Sequence, residues 1–91
     1  MKSLKISNQA TKFLEGLDAK QYRQVGKKVF SLLQNSEPQD SAVLTGAKNG
    51  ERRADSGEYR IIYTASETEV EVLAIGKRNG DEVYRIWQRM L

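Results

Sequence analysis

Arg52-Arg53, Arg60, Lys77-Arg78 and Tyr84 are the residues of this chain whose types and spacing could do chemistry on an anion. Guanidinium groups present planar forks of donors that match the oxygens of phosphate or carboxylate. A tyrosine among them adds a hydroxyl that can take or give a proton. The chain contains no histidine and no cysteine. Ser-His-Asp and Cys-His catalysis, a histidine pair for RNA cleavage, imidazole or thiolate zinc sites and a disulfide framework are therefore excluded. A metal would have only carboxylates and carbonyls to hold it. Acid–base chemistry near neutral pH must use Lys, Arg, Tyr, Asp or Glu.

Charge is unevenly arranged. Through Ala47 there are seven basic and four acidic residues, and from Lys48 onward eight of each. In that second half the acids cluster in "SETEVE" and "GDE" and the bases at Arg52-Arg53, Arg60 and Lys77-Arg78, a segregation that can leave a basic patch on a nearly neutral half. The chain is 91 residues long, which predicts one small domain, 1–91, with a single core. No apolar run approaches the roughly 18 residues of a membrane span, and no signal-peptide core follows the charged N-terminus. A soluble cytoplasmic protein with no membrane association is the expectation.

The elements that must position these side chains follow from periodicity. "KSLKIS" alternates weakly and predicts a short first strand. Ala10, Phe13, Leu14 and Leu17 form the stripe of a helix that Ser7 or Asn8 caps. Asp18 caps a second helix, with Tyr22, Val25, Val29, Leu32 and Leu33 on its buried side, and the short connection predicts an antiparallel helical hairpin. Pro38 ends that run, and the polar stretch through Gly50 reads as a loop pinned by Val43-Leu44. "ERRAD" and "EYRIIYTA", separated by Ser56-Gly57, predict a hairpin, and "EVEVLAIGK" a further strand. Val83, Ile86, Trp87 and Met90 then mark one apolar face of a last helix, with Tyr84 off it. The order β-α-α-β-β-β-α predicts an α+β domain, its helical hairpin packed on a small antiparallel sheet.

Strand parity sorts the charges. Tyr59, Ile61 and Tyr63 share one face, and Arg60, Ile62 and Thr64 the other; Glu51, Arg53 and Asp55 lie opposite Arg52 and Ala54. A cation such as Arg60 in an apolar strand needs a carboxylate partner, for instance Glu69 or Glu71, or an anionic ligand. Taken alone, Arg52-Arg53 also fits an exposed strand edge and Tyr84 an amphipathic surface position.

"RRADSGEYRIIY" followed by "VLAIGKRNGDEVYRIWQRML" resembles the RelE/ParE superfamily of bacterial toxins, nearer to its RelE branch. The likeness spans the chain: paired N-terminal helices, Leu44 and Gly46 before the hairpin, then Gly-Glu-Tyr-Arg and Gly-Lys-Arg. It implies the toxin of a type II toxin–antitoxin pair, a ribosome-dependent endonuclease that cuts mRNA in the ribosomal A site without metal or other cofactor. A cognate antitoxin is implied as partner, with a possible toxin–antitoxin hetero-oligomer. By the same resemblance, Arg53, Arg60, Arg78 and Tyr84 are the catalytic set, and Lys77, Lys48 and Arg52 bind RNA. Glu51 stands where RelE carries a lysine; a carboxylate there could pair with Arg53, leaving Lys48 or Arg52 to compensate. The alternative is a ParE-like inhibitor that blocks DNA gyrase without catalysis.

In the nuclease reading the RNA supplies its own 2′-hydroxyl as nucleophile. Arg53 and Arg60 would neutralise charge on the phosphorane, Tyr84 would act as general base, and Arg78 or Lys77 would assist the leaving 5′-oxygen. An ordinary phenol is only about 0.1% ionised at neutral pH, and cations around it favour the phenolate.

Overall fold

Ser7 accepts the Ala10 N–H on its side chain at 3.1 Å and so starts helix α1, Asn8–Glu15. Asp18 accepts the Gln21 N–H at 2.8 Å and starts α2, Ala19–Gln34. Each cap satisfies a backbone donor that the first helical turn leaves without a partner. The remaining elements in the computed structural model, which describes residues 2–90, are β1 (Ser3–Ile6), β2 (Ser41–Val43), β3 (Arg52–Ser56), β4 (Tyr59–Ala65), β5 (Glu69–Lys77) and α3 (Glu82–Arg89).

The strands form one five-stranded sheet in the order β1-β5-β4-β3-β2. Strands β2 to β5 are antiparallel neighbours, as the α+β expectation requires, while β1 joins β5 in parallel, so the sheet is mixed. Part of the stretch read as loop is strand β2: Ser41, Ala42 and Val43 pair with Ala54, Arg53 and Arg52. Beyond the end of β1, side chains take over the free edge of β5. Ser7 Oγ donates to the Leu73 carbonyl at 2.8 Å, and the Gln9 amide both donates to the Ile75 carbonyl at 2.9 Å and accepts its N–H at 3.0 Å. Backbone groups that would invite a foreign strand are thereby occupied.

The two sheet faces bury different clusters. One packs Tyr59, Ile61, Tyr63, Val70, Val72 and Ile75 against Ala10, Leu14, Val25, Val29 and Leu32 of the helical hairpin. Burying such side chains contributes about 1.5–3 kcal/mol each. Both tyrosines keep their hydroxyls bonded: Tyr59 donates to Gln21 Oε1 at 2.8 Å and Tyr63 to the Ser36 carbonyl at 2.7 Å. Tyr22, expected on the buried side of α2, is instead half exposed, since the hairpin turns Val25, Val29 and Leu32 to the sheet. The other face packs Ile62, Ala74 and Leu44 under Val83 and Trp87 of α3.

A bulge sets the registry of that second face. Ile62 pairs with Ala74 but Tyr63 pairs with Val72, leaving Leu73 as the extra residue. Val70 and Val72 face the hairpin; past the bulge the parity reverses, so Ile75 faces it while Ala74 and Gly76 face α3. A Cβ on Gly76 would stand 3.0 Å from Val83 Cβ, so glycine there lets α3 lie directly on the strand. Helix α3 has only eight residues and no side-chain cap at Asp81, so its stability comes from this packing.

Candidate functional site

Strands β3 and β4 are joined by a two-residue turn, Gly57-Glu58, with Gly57 at φ +60 and the flanking residues Ser56 and Tyr59 paired. The positive φ at the first turn position is one that glycine adopts without steric cost. This turn places Asp55 directly across from Arg60. Arg60 Nε donates to Asp55 Oδ1 at 2.6 Å and Nη2 to Oδ2 at 3.0 Å, a bidentate pair. The third corner of the guanidinium, Nη1, donates to the Tyr84 hydroxyl oxygen at 2.6 Å. The guanidinium carbon lies 5.8 Å from the Tyr84 ring centroid. Tyr84 is half-buried against the Val83–Trp87 cluster, so it lines the junction between α3 and the sheet instead of facing solvent on a polar helix side.

The partner of Arg60 is thus Asp55, not the Glu69 or Glu71 expected across the sheet; Glu69 pairs with Lys5 at 3.4 Å. Asp55 is also approached by Arg78 Nη1 at 3.8 Å. The Arg60 hydrogen bond, opposed by burial and supplemented by the charges of Arg60, Arg53 and Arg78, holds the Asp55 carboxyl below the usual carboxylate range. Arg60 is raised above the ordinary arginine value, first by its hydrogen bond to Asp55, with burial opposing and Tyr84 adding to the effect. Both members of the pair are therefore charged at neutral pH. Arg53, Arg60 and Arg78 surround the one aspartate, and among the described residues Arg53 and Arg78 have no other ion-pair partner.

The sequence-derived candidates separate cleanly by sheet face. Arg53, paired with Ile62, shares the α3 face with Asp55 and Arg60. Arg78 follows the reversed parity of β5 and reaches the same cluster, its backbone N–H bonded to the Glu58 carbonyl at 2.9 Å. Lys77 pairs with Tyr59 on the opposite parity and is exposed, so the bulge that brings Arg78 in turns Lys77 away. Arg52 also lies on the far face, opposite Tyr63, where it donates to Ser41 Oγ at 2.9 Å and contacts Glu37 at 3.3 Å. Lys48 is exposed in the loop between β2 and β3. Glu51 is 2% exposed and accepts the Asn49 N–H at 2.8 Å; among the described residues it forms no ion pair with Arg53.

Asp55 is the residue of this cluster to which no role was assigned from sequence. The signal for it was the turn: closing the hairpin around Gly57-Glu58 puts position 55 across from position 60. Among the described residues no three His, Cys, Asp or Glu side chains come together as a metal site, and no helix is long and apolar enough to cross a membrane.

A helical hairpin on one face of a mixed sheet, with a basic, tyrosine-bearing junction on the other, is the RelE-like fold. The chain belongs to the ParE toxin family of type II toxin–antitoxin systems, whose model matches residues 4–82. Its structure resembles the archaeal RelE of the RelE–RelB complex from Pyrococcus horikoshii, at 26% identity and a TM-score of 0.74 over 86% of this chain and 96% of that one. A free-state double arginine mutant of Escherichia coli RelE matches with a TM-score of 0.76 at 22% identity, covering 99% of this chain and 97% of that one. The Mycobacterium tuberculosis RelBE2 toxin–antitoxin complex matches with a TM-score of 0.70, also at 22% identity, over 85% and 98% of the two chains. No curated protein sequence matches the chain. The protein is a RelE/ParE superfamily toxin of a toxin–antitoxin system.

Proposed function

We propose that this toxin is a ribosome-dependent, metal-independent mRNA endonuclease acting in the ribosomal A site. The observation that carries the reading is the 2.6 Å hydrogen bond from Arg60 to the Tyr84 hydroxyl, in a cluster that Arg53 and Arg78 make cationic. A phenol used as general base needs a fixed cation at its oxygen, and Arg60 supplies one. Tyr84, as its phenolate, takes the proton of the 2′-hydroxyl; that oxygen bonds to the neighbouring phosphate to give a 2′,3′-cyclic phosphate, and the bond to the 5′-oxygen breaks as that oxygen takes a proton from water. Arg53 and Arg78 stabilise the charge that grows on phosphate and leaving oxygen.

This division of labour differs from the one drawn from sequence. Two corners of Arg60 are committed to Asp55 and the third to Tyr84, so Arg60 acts by positioning the phenol. Arg53 carries more of the phosphate binding, and Arg78, half exposed, serves the leaving oxygen.

A cognate antitoxin is the proposed partner, because the similar solved structures include RelE bound to RelB. The second reading, inhibition of DNA gyrase without catalysis, is favoured by the match to the ParE family model. Primer extension on cellular mRNA after induction, run beside a gyrase supercoiling assay, separates the two. Cuts within translated codons with unaffected supercoiling support the nuclease, and the reverse pattern removes it.

A further inference from the structure

At the far end of α3 from Tyr84 the character of the junction changes sign. Thr64, four residues along β4 from Arg60, pairs with Glu71 of β5 on the α3 face. Together with Glu51, Leu73, Trp87 and Met90 they line a cavity of about 260 Å³. Glu51 is 2% exposed, and among the described residues the only hydrogen bond to its carboxylate is the one that Oε1 accepts from the Asn49 N–H. Neither Glu51 nor Glu71 has an ion-pair partner among the described residues. Trp87, 4% exposed, also lines the cavity, and its buried Nε1–H has no acceptor among the described residues. A buried carboxylate without a counter-charge is an unfavourable arrangement that a bound cation relieves.

We propose that this cavity receives the lysine or arginine side chain of a bound polypeptide, with the stem lying along Leu73, Trp87 and Met90 and the charged head between Glu51 and Glu71. The apolar walls suit a hydrocarbon stem, as long cationic side chains bury their methylenes and keep the head on polar partners. The C-terminal end of α3, where Met90 sits, carries the negative end of the helix dipole. The cavity is smaller than a drug-sized site, which fits one side chain rather than a cofactor. Two carboxylates without a third ligand are a poor metal site, and RNA phosphate would be repelled. The site is separate from the Tyr84 cluster and does not depend on the nuclease reading.

Trp87 is the chain's one tryptophan, so its indole N–H gives a single reporter in a ¹⁵N-correlated spectrum. The intact toxin is titrated through the millimolar range with N-acetyl-arginine methylamide, N-acetyl-lysine methylamide, the uncharged citrulline analogue and MgCl2. Saturable shifts of the indole signal with the two cationic probes, absent with citrulline and with Mg²⁺, are expected. Glu51→Gln and Glu71→Gln should each weaken the cationic probes about tenfold, the effect of losing one charged contact. Glu71 is only partly buried, so its variant keeps the test alive if Glu51→Gln fails to fold. Equal shifts with citrulline, displacement of the probe by Mg²⁺, no saturable shift, or undiminished binding to a folded Glu71→Gln protein would each overturn the proposal.

Discussion

Asp55 and Arg60 face each other across the β3–β4 hairpin and share two hydrogen bonds, of 2.6 and 3.0 Å, while the remaining Arg60 nitrogen holds the Tyr84 hydroxyl. One carboxylate thus orients the guanidinium that orients the phenol. Asp55→Asn should cost about 1.5–3 kcal/mol, the range for a hydrogen bond to a charged group. The pH dependence has a fixed sign. The folded-state carboxyl of Asp55 is depressed, so its contribution is complete above the unfolded value near about pH 4 and is lost as pH falls through the folded one. Urea unfolding of wild type and Asp55→Asn should therefore converge on acidification; a gap that persists or widens in acid would count against the pairing.

Tyr84→Phe removes one oxygen and keeps the ring that packs beside Val83 and Trp87. Stability should fall by no more than about 3 kcal/mol, the upper end for a hydrogen bond to a charged group. If the phenol is the general base, mRNA cleavage on ribosomes should fall by about 10²–10⁴-fold. Full cleavage by the folded variant would leave the ring as a stacking surface only.

Arg52 and Arg53 are neighbours in sequence on opposite faces of β3, which makes them an internal control. Arg53→Ala should reduce cleavage by about tenfold to a hundredfold, as loss of a charged hydrogen bond to phosphate would. Arg52→Ala should leave single-turnover cleavage unchanged and lower the unfolding midpoint through its lost contacts to Ser41 and Glu37. Equal loss of cleavage in both variants would contradict the facial assignment.

Gly76→Ala places a methyl group 3.0 Å from Val83 Cβ, with strand on one side and helix on the other. Overpacking of this kind costs about 1–3 kcal/mol. Because Tyr84 follows Val83, the shift of α3 should also lengthen the Arg60–Tyr84 contact. The expected result is a lower unfolding midpoint together with reduced cleavage; an unchanged midpoint would mean that α3 yields without strain.

Most of the fold was legible because its signals are local. Ser7 and Asp18 cap the helices as their side-chain chemistry predicts, and β5 runs over Glu69–Lys77, the stretch read from its apolar run. The site was legible in type but not in geometry. Arg60, Arg78 and Tyr84 do converge, whereas Lys77 and Arg52 point elsewhere. The bulge at Leu73 decides the first of these, because one unpaired residue reverses the parity of everything after it and leaves no mark in an unbroken apolar run. Asp55 was missed for a related reason: its partner depends on which two residues form the turn. The parallel pairing of β1 with β5 and the short strand β2 rest on tertiary contacts that four or three residues do not announce.

The first strand of the chain pairs with the last, Ser3 through Ile6 lying beside Glu69 through Val72. That closure joins segments far apart in sequence and carries the loop entropy of a long-range contact. A nascent chain still lacking β5 has neither a seat for its first strand nor a platform for α3. The Arg60–Tyr84 junction therefore assembles only after β5 is in place, because α3 and its tyrosine have no other sheet strand of comparable contact to rest on.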